Sequence, residues 1–152
     1  VLEIFTHLAK FDVPFVVIGG HAVNFYGYIR ATEDADVIFL RTAESEKSLL
    51  GALDAINARW ISDVIDPNTG IEKEVPVDKT YIQSNHLLML STDKGYLDIF
   101  DFIPGHESLD VKNVFNSARI HNGIPFIDLE WLKKIKASSN RPKDLLDLEN
   151  LP

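Results

Sequence analysis

One short stretch constrains this chain more than any other. Phe15-Val16-Val17-Ile18 is a continuous apolar run, rich in β-branched residues, that stops at Gly19-Gly20. Such a run reads as a buried strand. The glycine pair permits a tight turn into a helix over 21–28, with Ala22, Val23 and Phe25 or Tyr26 facing inward. Helix starts expose free backbone N–H groups and a partial positive charge, and glycine lets a phosphate come close. One helix later the chain passes Gly27 and Arg30-Ala31-Thr32 into a second strand, Asp36-Val37-Ile38-Phe39-Leu40. Asp34 and Asp36 stand two residues apart at its start. Strand side chains alternate, so both carboxylates point the same way with Cα atoms about 6.6 Å apart. Two carboxylates on one face beside a phosphate-binding turn can hold hard divalent cations.

A third acid comes from far along the chain. Gly95-Tyr96-Leu97-Asp98-Ile99-Phe100-Asp101-Phe102 is an apolar strand interrupted by acids. Alternation puts Tyr96, Asp98, Phe100 and Phe102 on one face and Leu97, Ile99 and Asp101 on the other. An ionised carboxylate in a buried strand is costly unless it is paired or binds metal. Asp98 and Asp101 compete for the role of third acid; Asp98 has the better position, and Asp101 reads as a surface or capping residue.

The remaining elements set a frame around these residues. Leu2, Ile4, Phe5 and Leu8 suit one face of a short helix that Pro14 breaks. Ala43–Ile56 is the clearest helix, with Thr42 as N-cap and Leu49, Leu50, Leu53 and Ile56 as its apolar stripe. Residues 57–80 resist assignment beyond a turn at Asp66-Pro67-Asn68-Thr69-Gly70. Strands over 86–90 and 96–103 form a hairpin, and Asn122-Gly123 joins a second one between 118–120 and 124–126. Asp128 caps a helix through Lys136, and Pro142 opens a last helix over 143–151. The expectation is a single α+β or α/β domain over 1–152, a small mixed sheet flanked by helices and closed by C-terminal helices.

Composition narrows the classes. The chain has 152 residues and a formal net charge of -8. A generally basic nucleic-acid-binding surface is excluded, although a local basic patch is not. With no cysteine, disulfides, zinc ribbons and thiol nucleophiles are excluded, and a cytoplasmic setting is the simpler expectation. No apolar run approaches the roughly 20 residues that span a bilayer, and no stretch has a signal-peptide layout, so no membrane role is expected.

Taken together, these motifs resemble the nucleotidyltransferase superfamily with the polymerase-β-type fold. Its pattern is a hydrophobic strand, Gly-Gly or Gly-Ser, a helix, acid-x-acid and a third acid on a later strand. Ile18-Gly19-Gly20, Asp34-x-Asp36 and Asp98 match it in order and spacing. The finer resemblance is to the AbiEii-like nucleotidyltransferases, a group that includes toxin components. Gly19, Gly20, Ala22, Gly27, Arg30, Thr32, Asp34 and Asp36 fit its first motif. Thr92, Gly95 and Asp98 resemble its hairpin motif, and Lys136, Arg141-Pro142-Lys143-Asp144 and Asp147 its C-terminal one. Many superfamily members carry serine where Gly20 stands, so backbone N–H groups alone would serve the phosphate here.

The resemblance implies a nucleotidyltransferase-like core in which Asp34, Asp36 and Asp98 are both catalytic residues and ligands of two Mg2+ ions. A nucleoside triphosphate (ATP among the candidates) would be the donor substrate, and Asp98 would bind the ion that activates the acceptor hydroxyl. Gly19, Gly20, His21, Arg30, Thr32 and Lys136 are the candidate nucleotide-binding residues. Each has a plainer alternative. His21 can simply pack on its helix. Arg30 can pair with Asp34 or Glu33, and Lys136, Arg141 and Lys143 can pair with Asp144. Phe25, Tyr26 and Tyr28 read as core, and Glu44-Glu46 and Asp144-Asp147-Glu149 as solvated helix faces. The acceptor could be RNA, a protein or a small hydroxylated molecule, and the negative charge opposes extensive RNA contact. The competing reading is a non-catalytic or toxin–antitoxin regulatory module that binds a partner protein on the same fold.

Overall fold

The computed structural model describes residues 2–152; Val1 and the side chain of Leu2 lie outside that description, and with them Leu2's expected place on an apolar face. The first helix, α1 (Leu2–Lys10), buries Ile4, Phe5 and Leu8. It ends four residues before Pro14, where the chain turns through Asp12 at φ 56°. Strand β1 (Phe15–Ile18) is buried throughout, as its unbroken apolar run predicts. Helix α2 (Gly19–Phe25) follows with no intervening turn. The glycine pair forms the first turn of this helix rather than a link to it, and the helix stops three residues short of Tyr28.

Strand β2 (Asp34–Phe39) runs antiparallel to β1. Helix α3 (Ala43–Ala55) starts at Thr42, whose hydroxyl accepts from Ser45 N–H at 2.9 Å while Ser45 Oγ accepts from Thr42 N–H at 2.7 Å. This reciprocal pair satisfies two otherwise orphaned donors. Residues 57–80 hold a hairpin of β3 (Arg59–Ile65) and β4 (Glu72–Pro76). A short helix, α4 (Lys79–Ser84), follows it, capped by Asp78, which accepts from Tyr81 N–H at 2.8 Å. The hairpin expected over 86–103 is β5 (Leu87–Thr92) and β6 (Gly95–Phe100). Helix α5 (Lys112–Ser117) leads to β7 (Arg119–His121) and β8 (Ile124–Phe126), joined at Asn122-Gly123 as expected. Helix α6 (Leu129–Ala137) is capped by Asp128, and α7 (Pro142–Asn150) begins at its proline.

All eight strands form one mixed sheet in the order β4-β3-β5-β6-β2-β1-β8-β7, wider than the small sheet expected because β3 and β4 extend one edge. Its two faces are unlike. Phe15, Val17, Val37, Phe39, Leu88, Leu90, Leu97 and Ile99 share one core with α1 and α3, and Tyr81 and Ile82 of α4 pack there too. Val16, Ile18 and Ile38 share the other with Ala22, Val23, Val114, Leu132 and Leu151. This second face carries the acids, because Asp34 and Asp36 alternate in phase with Ile38.

Candidate active site

The parallel pairing of β2 with β6 builds the acidic half of the site. Its register sets Asp36 directly opposite Asp98 and Asp34 opposite Tyr96. A residue and its direct cross-strand partner share a face, so three carboxylates meet on one side of two adjacent strands. Asp34 is exposed, whereas Asp36 and Asp98 are half-buried. Burial, followed by the charges of Asp98 and Asp34, pushes the Asp36 carboxyl up to about 7. Burial and the Asp34 charge also raise Asp98.

Asp101 lies elsewhere. Arg41 Nε donates to its Oδ2 at 2.7 Å, and His86 Nδ1 stands 2.8 Å from the same oxygen. Arg41 also donates to Glu46 at 2.7 Å and to the Ile82 and Asn85 carbonyls at 2.8 and 2.7 Å. Asp101 is therefore one spoke of a structural arginine hub, not the surface or capping residue expected.

The glycine pair is held against the acids by contact. Gly19 has φ +68°, and a β-carbon there would strike Asp36 Oδ2. A β-carbon at Gly20 would strike Thr32 Oγ1 and come within 2.8 Å of Thr32 Cβ and 3.1 Å of Arg30 Nη1. Neither position has room for a side chain, and at Gly19 the left-handed backbone adds a second reason for glycine.

Opposite the acids stands a wall made by α6 and α7. Lys136 is buried, with Nζ 2.9 Å from Asp144 Oδ1 and 3.0 Å from Asp147 Oδ2. Arg30 grips Asp147 bidentately, Nε and Nη2 donating at 2.7 and 2.8 Å. Arg141 Nε donates to Asp144 Oδ2 at 2.9 Å. Asp144 and Asp147 are fully buried, which corrects their reading as a solvated helix face. The ion pairs hold Asp144 down at about 2 and lower Asp147, overcoming the upward push of burial. Arg30 pairs with Asp147 rather than with Glu33 or Asp34. Three cations against two carboxylates leave this wall net positive. Lys143 adds a further cation with no ion-pair partner among the described residues.

Between acids and wall lies a cleft of about 660 Å³, lined by Gly19, Gly20, Arg30, Thr32, Asp34, Asp36, Asp98 and Lys136 among others. It gathers every candidate site residue except His21. The His21 ring packs edge-on to Phe5 with centroids 5.5 Å apart, its Nε2 is buried without a hydrogen-bond partner among the described residues, and burial lowers its pKa. Phe25 stacks on Phe126 at 4.2 Å and Tyr26 donates to the Ile127 carbonyl at 2.7 Å, core roles as expected. Ser138, Ser139 and the Pro104-Gly105 turn also line the cleft, and no motif pointed to them.

The donor set fits magnesium in kind. Among the described residues no group of three histidine, cysteine or carboxylate side chains could hold a metal ion by itself. Magnesium is usually held by one or two carboxylates together with substrate phosphates rather than by an all-protein cage. Burial first, and then the charges of Asp98 and Asp34, disfavour an ionised Asp36, and a divalent cation beside these carboxylates would relieve the repulsion among them.

No protein-family model and no curated protein matches the chain. Among solved structures it is similar to JHP933 from Helicobacter pylori, at 16% identity and a TM-score of 0.48, over 97% of this chain and 62% of that one. The chain thus spans less than two thirds of that protein's length. It is also similar to the aminoglycoside nucleotidyltransferase ANT(2")-Ia, solved with adenylyl-2"-tobramycin, at 11% identity and a TM-score of 0.57 over 97% of this chain and 83% of that one. By that likeness, the eight-stranded sheet and its helices have the nucleotidyltransferase fold.

Proposed function

We propose that the chain is a magnesium-dependent nucleotidyltransferase that moves a nucleoside monophosphate from a nucleoside triphosphate to a hydroxyl acceptor. One observation carries this reading: Asp36 faces Asp98 across parallel strands, with Asp34 beside them, at a cleft whose far wall is net positive. A triphosphate needs both halves, cations along its chain and carboxylates that hold its metal ions. The AbiEii-like motif, matched at Gly19, Gly20, Arg30, Thr32, Asp34 and Asp36, supports the same reading.

In this reading Asp34, Asp36 and Asp98, together with the triphosphate, would hold two magnesium ions, which would supply charge neutralisation for the transfer. Gly19 and Gly20 turn their backbone N–H groups toward the phosphates. Lys136 and Arg30, braced by Asp144 and Asp147, give that end of the cleft a fixed positive field. The acceptor oxygen bonds to the α-phosphorus as the bond to the β-phosphate oxygen breaks, and pyrophosphate leaves. The acceptor proton passes to Asp98.

The test is magnesium-dependent binding of ATP, GTP, CTP and UTP, followed by labelled-nucleotide transfer, with wild type beside Asp36→Asn. Binding and transfer that depend on Asp36 are expected. No nucleotide binding, or stable capture of a partner protein that Asp34→Asn and Asp36→Asn leave untouched, would replace catalysis with the regulatory-module reading.

A further inference from the structure

The row of residues that starts with Asp36 and Asp98 does not stop there. Met89 of β5 lies directly opposite Asp98, and Ser91 opposite Tyr96. Arg59 of β3 lies opposite Ser91, so Ile61, two residues on, returns to the same face. Ile61 in turn lies opposite Glu74 of β4. The face therefore reads, strand by strand, Asp36, Asp98, Met89, Ile61, Glu74. On the opposite face Leu88, Leu90 and Trp60 pack against the helices. On this face Met89, Ile61 and Tyr96 are 59%, 54% and 57% exposed, and none belongs to either core.

We propose that this open face is the acceptor platform, and that it takes an extended basic peptide segment carrying a side-chain hydroxyl. The proposal rests on the nucleotidyltransferase reading of the adjoining cleft. Three features select the occupant. The apolar strip begins at Asp98, where the acceptor hydroxyl has to be. It ends at an acidic rim, Glu74 with Glu72 (Lys73 lies between them along the strand), and Arg59 is the one cation at a paired position of these rows among the described residues, so a polyanion such as RNA is disfavoured while a cation is drawn to the rim. Met89, Ile61 and Tyr96 stand open to solvent, whereas small-molecule sites are concave and enclosing, and methionine suits a surface that accommodates varied side chains. The path from Asp98 to Glu74 crosses three strand spacings, about 14 Å, which an extended chain covers in about four residues. A serine, threonine or tyrosine hydroxyl and a lysine or arginine about four residues apart, with apolar residues between, match the platform.

The experiment uses fluorescence anisotropy of short peptides built to that pattern, titrated with the full chain and magnesium nucleotide. Matched peptides with glutamate replacing the cation and a single-stranded RNA serve as comparisons. The basic peptide should bind. Ile61→Lys and Glu74→Lys should each weaken it about tenfold, with thermal unfolding confirming that both fold and nucleotide binding unchanged. Met89→Lys, which also places a cation on the strip, is the second variant should Ile61→Lys fail to fold. No peptide binding, equal binding of the glutamate peptide, binding of RNA instead, or indifference to all three variants overturns the platform. Nucleotide binding is read separately. If it fails while peptide binding stays sensitive to Ile61, the catalytic reading falls and the docking surface stands.

Discussion

Two groups of carboxylates face each other across the cleft, and the chain treats them in opposite ways. Asp144 and Asp147 are fully buried, yet each is met by two cations drawn from Lys136, Arg30 and Arg141. Asp36 and Asp98 are less buried, yet neither forms an ion pair among the described residues, and the acids nearby outweigh the weaker pull of Lys136 on Asp36. The first pair is lowered in pKa and the second raised, although burial pushes all four upward. A buried charge is tolerated where the fold supplies its partner. Where it does not, the carboxyl holds its proton to higher pH or needs a counter-ion. One group braces the fold; the other, in the proposed reading, is where a magnesium ion would offset the charge.

The largest effects should fall on the unpartnered side, in activity. Asp36→Asn and Asp98→Asn should each cut nucleotide transfer about a thousandfold or more, measured as the initial rate of pyrophosphate release. Asp101→Asn should instead loosen the Arg41 hub and lower the unfolding midpoint while leaving transfer in the folded fraction. The reverse pattern would exchange the roles of Asp98 and Asp101.

On the partnered side the large effect should be in stability. Asp147→Asn strips Arg30 and Lys136 of a shared carboxylate and leaves cations beside an interior that cannot solvate them. Breaking a buried pair from one side costs about 3–5 kcal/mol, to be read from urea unfolding. A loss below about 1 kcal/mol would mean that water reaches this pair as it reaches surface pairs.

The same contrast has a pH signature. A carboxyl raised from 3.8 to about 7 on folding contributes stability that is fully present below 3.8 and lost as pH rises through about 7. Asp36→Asn should therefore stabilise the magnesium-free protein at pH 8, by on the order of 2 kcal/mol, while abolishing transfer. Magnesium should raise the wild-type melting temperature at the same pH and leave the variant's almost unmoved. Asp144 runs the other way. Its carboxyl lies near 2 when folded, so its contribution is present above 3.8 and lost as pH falls through about 2. Acid unfolding should accordingly weaken with Asp144→Asn and persist in Asp36→Asn.

How far the sequence foretold this contrast depends on range. The acid-x-acid spacing and the cap residues Thr42 and Asp128 are local signals, and each sits where local rules put it; the glycine pair marks the right place but is the first turn of α2 rather than a turn before it. The partner of Arg30 is not local: Asp147 lies 117 residues away, and Glu33 or Asp34 is the natural guess along the chain. The burial of Asp144 and Asp147 was hidden for the same reason, since a charged helix face reads as solvated until its cations arrive from elsewhere. Strands β3 and β4 were illegible for a different one. Ile61, Val64, Ile65 and Ile71 are all exposed, so apolar residues fall on both sides of the hairpin and leave no alternation to read. The departure from the pattern is itself informative, because a face that does not read as core or as ordinary surface is what a binding platform needs.

The smallest effect tests whether the two groups are joined through the wall. Arg141 is bonded to Asp144 like Lys136, but its side chain is 76% exposed against 7% for Lys136. Exposed pairs are worth about 0–1 kcal/mol because water competes for both partners. Arg141→Ala should thus leave the unfolding midpoint almost where it was, unlike Asp147→Asn. Arg141 nevertheless lines the cleft, and it is the cation of the network with freedom to leave Asp144 for a phosphate. Removing it should weaken triphosphate binding severalfold and make the remaining affinity less sensitive to salt, as expected when one phosphate contact is lost. Equilibrium dialysis of nucleotide at low and high ionic strength reads both. A stability loss equal to that of Asp147→Asn, with nucleotide affinity unchanged, would make Arg141 another brace and confine the mobile charge of the wall to Lys143.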